Sequence, residues 1–496
     1  MRRRTLLQGG TAWIGTAAVV RHPFAQQHED RFALGVASGS PRPDGMVLWT
    51  RLVGDGLAAA VEVQWEVAHD EAFTRMAARG VETTGVDDAH SVHAEPAGLE
   101  PGRWYWYRFR ALGQQSRAGR TRTSPALDAA AGLRFVTASC QRWDHGHYAA
   151  WRDAVAHEPD LIVFLGDYIY EYGAVAGRVR AHQGRALATL ADYRARHAQY
   201  KSDPALQAAH AAAPWMLVWD DHEVENDYAG LQSQTLQSDF AAQRAAAYQA
   251  YWEHLPLPMS ARPRAGAMPM ATRLDWGRLA RIHLLDTRQH RHPQACPRPN
   301  RGGSARVKRT ECAALNDPSR SLLGPAQERW LGEGWDLARP WNLVAQTTLM
   351  ARVAGYGDDA TVWTDGWDGY PAARARLLRE VAARRVPGVV MLGGDIHAHV
   401  VADLHTDADN PRSPRVASEF CATSISSHAT LRGPFATQDH MRFGDADHRG
   451  CMRFTLAARE LHADLRAVAD PAEPASASTS LARFAVDAAR PGPQRA

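Results

Sequence analysis

Two hydrophobic rhythms divide the chain. From about Phe32 to Pro125, stretches such as "GMVLWTRL", "VEVQWEVAHD" and "GRWYWYRFRAL" alternate apolar and polar positions between Gly, Pro and Asp turns, as half-buried antiparallel strands do. After Ala130 the apolar runs become continuous: "LRFVTASC", "DLIVFLGDY", "WMLVWDDHE", "LARIHLLDTR", "WNLVAQTTLM" and "VPGVVMLGGDIHAH". A strand with no polar positions is covered on both faces, so these runs predict a parallel or mixed α/β sheet. Between them, "ATLADYRARHAQYKSD" and "SDFAAQRAAAYQAYWEHL" space apolar residues three and four apart and predict amphipathic helices. The expected organisation is an antiparallel β-sandwich over residues 30–127, an α/β domain over 130–468, and an Ala/Pro/Ser-rich tail over 469–496 that adds at most one edge strand.

The continuous runs share a second property, in that nearly every one ends in polar residues of metal-ligand type. Cys140 closes the first, Asp167 the second, Asp220 and Asp221 the third, Asp286 and Arg288 the fourth, and Asp395, His397 and His399 the last. Ligands of open α/β sheets bind beyond the carboxyl ends of the strands, so one crevice would collect all of these groups. Tyr170 follows Asp167 at a spacing that lets a single turn aim both at one point. The stretch "WDDHEVENDY" stands directly behind the apolar run Trp215–Val218. A helix N-terminus accounts for one acidic residue there, with Asp220 or Asp221 capping and Glu223 favourable to the helix dipole. It accounts poorly for several, because buried carboxylates neutralise or find a cation. Oxygen donors from Asp220, Asp221, Asn226 and Asp227 suit a hard ion such as calcium or magnesium, whereas the thiolate of Cys140 and the phenolate of Tyr170, with a carboxylate, suit ferric iron.

Composition narrows the class. At 496 residues, 45% hydrophobic and 22% charged, the chain reads as a soluble two-domain enzyme rather than a disordered protein or a membrane bundle. A net charge of +3 with no Lys/Arg stripe predicts no affinity for nucleic acid. The uncharged segment Leu6–Val20 is too short and too rich in Gly, Ala and Thr to span a bilayer. Preceded by Arg3-Arg4, it makes residues 1–25 read as a twin-arginine signal, with the twin-arginine translocation machinery as partner. The expected product is a periplasmic or secreted monomer and not an integral membrane protein. Cys296 and Cys312 flank a Pro-, Arg- and Gly-rich segment without a core pattern and are expected to pair, removing roughly 3 kcal/mol of unfolded-state entropy. Cys421 and Cys451 read as small core residues.

The series "FALGVASGSPRPDGMVLWTRL", "ASCQRW", "LGDYIYEYG", "WDDHEVENDY", "LDTRQHR", "TDGWDGYPAAR", "GGDIHAH", "SEFCATSISS" and "DHRG" is similar, in order, to the alkaline phosphatase D (PhoD) family. It runs from about Phe32 to beyond Gly450. In addition, "GLEPGRWYWYRF" resembles the corner-and-strand stretch of fibronectin type III and immunoglobulin-like modules. The resemblance implies an immunoglobulin/fibronectin-like β-sandwich followed by a metallophosphoesterase core, a two-sheet α/β sandwich flanked by helices and related to purple acid phosphatases. It also implies hydrolysis of small phosphomonoesters and phosphodiesters with iron (Fe3+) and calcium (Ca2+). Carried over by position, the iron ligands are Cys140, Asp167 and Tyr170, with Asp167 bridging, and Asp220, Asn226 or Asp227, Asp395 and His397 complete the cluster. Asp227 stands where many members have a second Asn, and His290 where many have Tyr, so which of Asn226 and Asp227 coordinates stays open.

Phosphoryl transfer asks mainly for positioning and for positive charge around the phosphoryl oxygens. Arg288 and Arg142 are candidates for that charge, because arginine matches phosphate bidentately; salt bridges are their alternative role. His222 either protonates the leaving alkoxide or braces a ligand, and Asp365 and Asp368 are expected to approach from a loop. A phosphodiesterase or phospholipase D acting on lipid or teichoic-type diesters uses the same metals with another pocket. A non-catalytic phosphate-binding protein is the rival from a different class.

Overall fold

All six continuous apolar runs form strands, but they divide between two sheets. In this computed structural model, which describes residues 30–353, 360–430 and 435–496, Leu133–Ala138, Leu161–Leu165 and Trp215–Val218 lie side by side and parallel in a ten-stranded sheet. Ala280–Leu284, Trp341–Ala345 and Val389–Gly393 form the same arrangement in a seven-stranded sheet. Phe420 of the second sheet and Phe454 of the first meet edge to face with ring centroids 5.5 Å apart. Phe135, Val163, Ile282 and Val390 belong to the same apolar cluster between the layers. Each such side chain contributes roughly 1.5–3 kcal/mol when fully buried, so this shared layer is the main source of cohesion. At the strand tips the two sheets touch again through a parallel bridge between Ser139 and Ser424.

Helices cover the outer faces. Leu190–Lys201 begins at Thr189, whose hydroxyl accepts the Asp192 N–H while the Asp192 carboxylate accepts the Thr189 N–H, a reciprocal cap. It stops at Ser202, and the next helix, Pro204–Ala212, starts with proline at its first position and is capped by Asp203. Trp151 of helix Ala149–Ala156 packs on Trp215 at 4.9 Å. On the other side, Leu377, Leu378 and Val381 of helix Pro371–Arg384 share a second apolar cluster with Val389 and Met391.

The first segment differs from the expected free-standing sandwich. Strands Val36–Arg42, Gly45–Arg51 and Ser91–Ala94 extend the ten-stranded sheet, with Gly39 paired in parallel to Trp215. Ala60–Ala68, Met76–Gly85, Trp104–Ala111, Gln114–Gln115 and Gly119–Arg122 make a separate five-stranded sheet. Val36, Met46 and Leu48 from one layer and Val63, Tyr105 and Tyr107 from the other enclose a common core. The physical reason is burial on both faces: Gly45 to Thr50 are all buried, which an outer strand of an isolated sandwich would not show. The tail also differs, giving two strands, Ser478–Asp487 and Arg490–Arg495, at the sheet edge. Ala482, Phe484 and Val486 point inward at every second position, an alternation masked by the Ala/Pro/Ser composition. The twin-arginine reading falls on residues 1–25, outside the described residues.

Candidate metal centre

Both sets of parallel strands point their carboxyl ends at one place, and the backbone there is unusual. Cys140, Asp167, Asp227, Asp395 and His397 all have φ between 53° and 66°. The left-handed region costs a non-glycine residue of order 1 kcal/mol or more and persists where the surroundings over-determine it, typically at functional sites. Two glycines let the tips approach. A Cβ on Gly166, at φ +88°, would lie 2.5 Å from the Asp220 Cβ, and one on Gly394 would lie 2.5 Å from the Ser139 Oγ. Glu223 then ties two tips together, its buried carboxylate accepting the N–H groups of Tyr168 at 2.6 Å, Asp220 at 2.9 Å and Asp167 at 3.2 Å. The stretch behind Val218 is a run of turns and not a helix start, so Glu223 serves the tips rather than a helix dipole.

The donor atoms converge. Ligand atoms of Cys140, Asp167 and His397 lie within 4.8 Å of one another, as do those of Asp167, Asp221 and His222. The Tyr170 hydroxyl is 3.0 Å from Asp167 Oδ2 and 3.3 Å from His397 Nε2. The Ser427 hydroxyl bonds both the Cys140 carbonyl, at 2.7 Å, and the Tyr170 hydroxyl, at 2.8 Å. Thr348 donates to Asp395 Oδ2 at 2.7 Å and Thr347 to Asp220 Oδ1 at 3.0 Å. Yet Asp167 Oδ1, Asp220 Oδ2 and Asp221 Oδ1 are buried with no hydrogen-bond partner among the described residues. Burial, reinforced by Asp221 and Asp220, lifts Asp167 well above the usual carboxylate range against the pull of His222. Burial and then Asp220 and Asp221 do the same to Asp395, and burial followed by Asp167 raises the Cys140 thiol. Orphaned buried oxygens and carboxyls driven to neutrality are what a cation removes. The residues therefore fit a metal cluster.

The remaining expected residues divide. Asn226, Asp227, Asp395, His222 and His397 line the cavity above the cluster. Asp227 Oδ2 is already taken by the Ser304 hydroxyl at 2.5 Å and N–H at 3.1 Å and by Gln234 at 3.2 Å, whereas Asn226 Oδ1 receives, among the described residues, only the Tyr172 hydroxyl at 3.3 Å. Arg288, read as a phosphate ligand, lies behind the carboxylates: it is 1% exposed, binds Asp220, and forks onto Asp365 at 3.0 and 2.6 Å. It compensates buried charge and does not line the cavity. Arg142 pairs with Asp144 at 2.7 Å and lies over the Tyr172 ring at 4.4 Å. Asp286 and His399 are turned away, Asp286 accepting the Trp219 indole N–H at 3.0 Å and His399 Nε2 lying 3.1 Å from the Arg466 carbonyl. Glu171, Thr347, Thr348, Ser427 and Arg449 carried no metal-ligand signal in the sequence. Arg449 donates to the carbonyls of His397 at 2.9 Å and Ser427 at 2.8 Å, pinning two loops that flank the cluster. The disulfide Cys296–Cys312 is formed, and Cys421 and Cys451 are buried.

Above the cluster opens a cavity of about 550 Å³, lined by the polar groups of the cluster and also by Leu349, Trp363, Trp367 and Phe435. That is room for a ligand of ordinary metabolite size. The chain matches the PhoD-like phosphatase model over residues 135–465 and the model of the PhoD-like N-terminal domain over residues 17–125. It is 41% identical over 477 residues to alkaline phosphatase D of Bacillus subtilis (strain 168), covering 91% of this chain and 80% of that one. A solved structure of PhoD superposes with a TM-score of 0.88 at 40% identity, covering 94% of this chain and 92% of that one. A purple acid phosphatase from yellow lupin (Lupinus luteus) seeds shares the fold alone, with a TM-score of 0.57 at 12% identity over 91% of this chain and 74% of that one. A metal-fitting centre at the meeting point of two parallel strand sets, in a chain this alike throughout to an alkaline phosphatase D, places the protein in the PhoD-like phosphatase family as a phosphoesterase.

Proposed function

We propose that the protein is an exported, monomeric phosphoesterase that takes both monoesters and diesters and holds ferric iron through Cys140, Asp167, Tyr170 and His397, with calcium on the oxygen-rich side. The observation that carries this reading is the convergence of a thiol, a carboxylate and an imidazole within 4.8 Å at the floor of the cavity, with carboxylate oxygens of Asp167 and Asp220 beside them that lack a partner among the described residues. Asp167, common to both donor groups, would help hold either metal position. Asp220, Asp221, Asp395 and Asn226 supply hard oxygen donors for the second position. When bound, the metals supply Lewis acidity toward the phosphoryl oxygens and activate water for in-line attack.

The chain's own residues do the rest. Thr347 and Thr348 orient Asp220 and Asp395, and Glu223 fixes the separation of the Asp167 and Asp220 tips. His222, held by Glu171, stands where it can give a proton to the leaving oxygen. Export is supported by Arg3-Arg4 ahead of an uncharged segment and by a disulfide; no helix among the described residues is long and apolar enough to cross a membrane.

Elemental analysis with the visible spectrum tests the metal assignment. Native protein is expected to contain iron and to be coloured by thiolate or tyrosinate bound to Fe3+, and Cys140→Ala to lose both colour and activity. A coloured, active Cys140→Ala protein would overturn it. Hydrolysis of bis-p-nitrophenyl phosphate well beyond that of p-nitrophenyl phosphate, together with cleavage of a phospholipid, would favour a phospholipase D instead.

A further inference from the structure

One wall of the cavity is a two-stranded ribbon, Arg306–Lys308 paired antiparallel with Thr361–Trp363, that belongs to neither large sheet. Its register sets Arg306 opposite Trp363, and both residues line the cavity. Directly opposed side chains on an antiparallel ladder have Cβ atoms about 5 Å apart. A guanidinium and an indole thus face the same space side by side.

The two are differently committed from their neighbours. Arg288, Arg291, Arg309 and Arg374 are all in ion pairs. Arg306 is exposed, and its side chain has no hydrogen bond or ion pair among the described residues. Trp363 is half-buried and starts close to the centre. A Cβ on Gly366 would lie 3.7 Å from Trp363 Cε3 and 3.4 Å from Thr348 Oγ1, and Thr348 bonds Asp395. The indole therefore lies near Thr348 at the candidate metal site, and Arg306 stands beside it on the ribbon.

The ribbon is also firmly fixed. At one end Ser304 binds Asp227 through its N–H and its hydroxyl. At the same end, just beyond the paired strand, Asp365 receives Arg288, Arg291 and Gln294. Behind it, Val307 and Val362 pack with Leu315 and the Cys296–Cys312 disulfide in a small apolar cluster of their own. A subsite needs this kind of rigid backing. A phosphoryl group at the metals leaves most of the 550 Å³ unfilled, so the ribbon faces the alcohol portion of the ester.

We propose that Trp363 and Arg306 form the leaving-group subsite, selecting phosphate esters whose alcohol side carries an aromatic ring with a second negative charge next to it. The inference rests on the phosphoesterase reading of the metal centre and deepens it. The ring stacks on the indole, and the anionic substituent pairs with the Arg306 guanidinium.

The test compares kcat/KM of the native holoenzyme, Trp363→Ala, Trp363→Phe and Arg306→Gln on phenyl, para-carboxyphenyl and octyl phosphate. Trp363→Ala is expected to lose about tenfold on both aryl esters and to stay within about twofold on the octyl ester, with Trp363→Phe restoring most of the loss. Arg306→Gln is expected to lose about tenfold on the carboxyphenyl ester alone. Equal losses on all three esters, or none, overturn the subsite, since a purely structural indole would not discriminate among them. A loss on octyl phosphate matching that on phenyl phosphate overturns the aromatic class. Native enzyme that cleaves none of the three esters would instead strike at the hydrolytic reading beneath the subsite.

Discussion

Glu171 Oε2 lies 2.8 Å from His222 Nδ1, so the imidazole is held through one nitrogen and presents the other, Nε2, to the cavity that His222 lines. The Tyr170 ring stacks on it at 4.1 Å. Burial opposes charge on this ring, but Glu171 first, then Asp221 and Asp167, push its pKa above the ordinary histidine range. Glu171→Gln keeps the shape of the contact and removes the charge. The expected outcome is a loss of roughly tenfold to hundredfold in kcat on an alkyl phosphate, whose poor leaving group needs a proton, and a much smaller loss on p-nitrophenyl phosphate. Equal losses on the two esters, with iron content lowered, would make His222 a brace and not an acid.

Arg288 sits among Asp220, Asp221 and Asp365. Burial opposes ionisation of Asp365, yet Arg288 and Arg291 hold its carboxyl below the usual range. Arg288→Met strands these charges and is expected to cost about 3–5 kcal/mol, read as a lowered urea midpoint. Adding Asp365→Asn should recover part of that loss. An unchanged midpoint in Arg288→Met would show that the metals, not the guanidinium, balance these carboxylates.

Gly166→Ala would put a Cβ 2.5 Å from the Asp220 Cβ at a φ of +88°. Neither backbone neighbour can yield without moving a tip of the metal cluster. Iron content and activity are expected to fall together while the far-ultraviolet circular dichroism stays native. Full activity in this variant would mean that the tips need not approach so closely.

The disulfide closes a separation of 16 residues behind the ribbon. Replacing Cys296 and Cys312 by serine is expected to cost about 3 kcal/mol and to raise KM more than it lowers kcat, because the ribbon faces the alcohol side of the ester. A lowered melting temperature with KM unchanged would confine the bridge to stability.

Several imidazoles far from the metals are buried neutral. Burial lowers His93 to about 4, against its bond to the Leu257 carbonyl, and lowers His283 to about 4 with help from Arg273. Burial and then Lys201 lower His197 to about 3. A histidine lowered in the fold takes up a proton on unfolding, so its stabilising effect is complete above pH ~6.5 and is lost as pH falls toward 4. For His93 alone the loss is on the order of 3 kcal/mol. The melting temperature is expected to drop steeply between pH ~6.5 and pH ~4, and less steeply in His93→Gln. A flat profile would show these rings charged in the fold.

Much of this protein was legible in its amino-acid order. Continuous apolar runs identified six buried strands, because a strand covered on both faces has no room for polar positions. The groups after them pointed to the candidate site, because charge behind a buried run needs compensation. Pattern could not say how those strands would be shared out. Local periodicity records whether a strand is covered and is silent on what covers it, so three runs went to each of two sheets and the metal centre formed where their tips meet. The same blindness hid the merging of Val36–Arg42 with the central sheet, the retreat of Arg288 behind its carboxylates, and the roles of Glu171, Glu223, Thr348 and Ser427. Those residues are ordinary by type and spacing. They became functional through partners tens to hundreds of positions away, and only the packed chain supplies such distances.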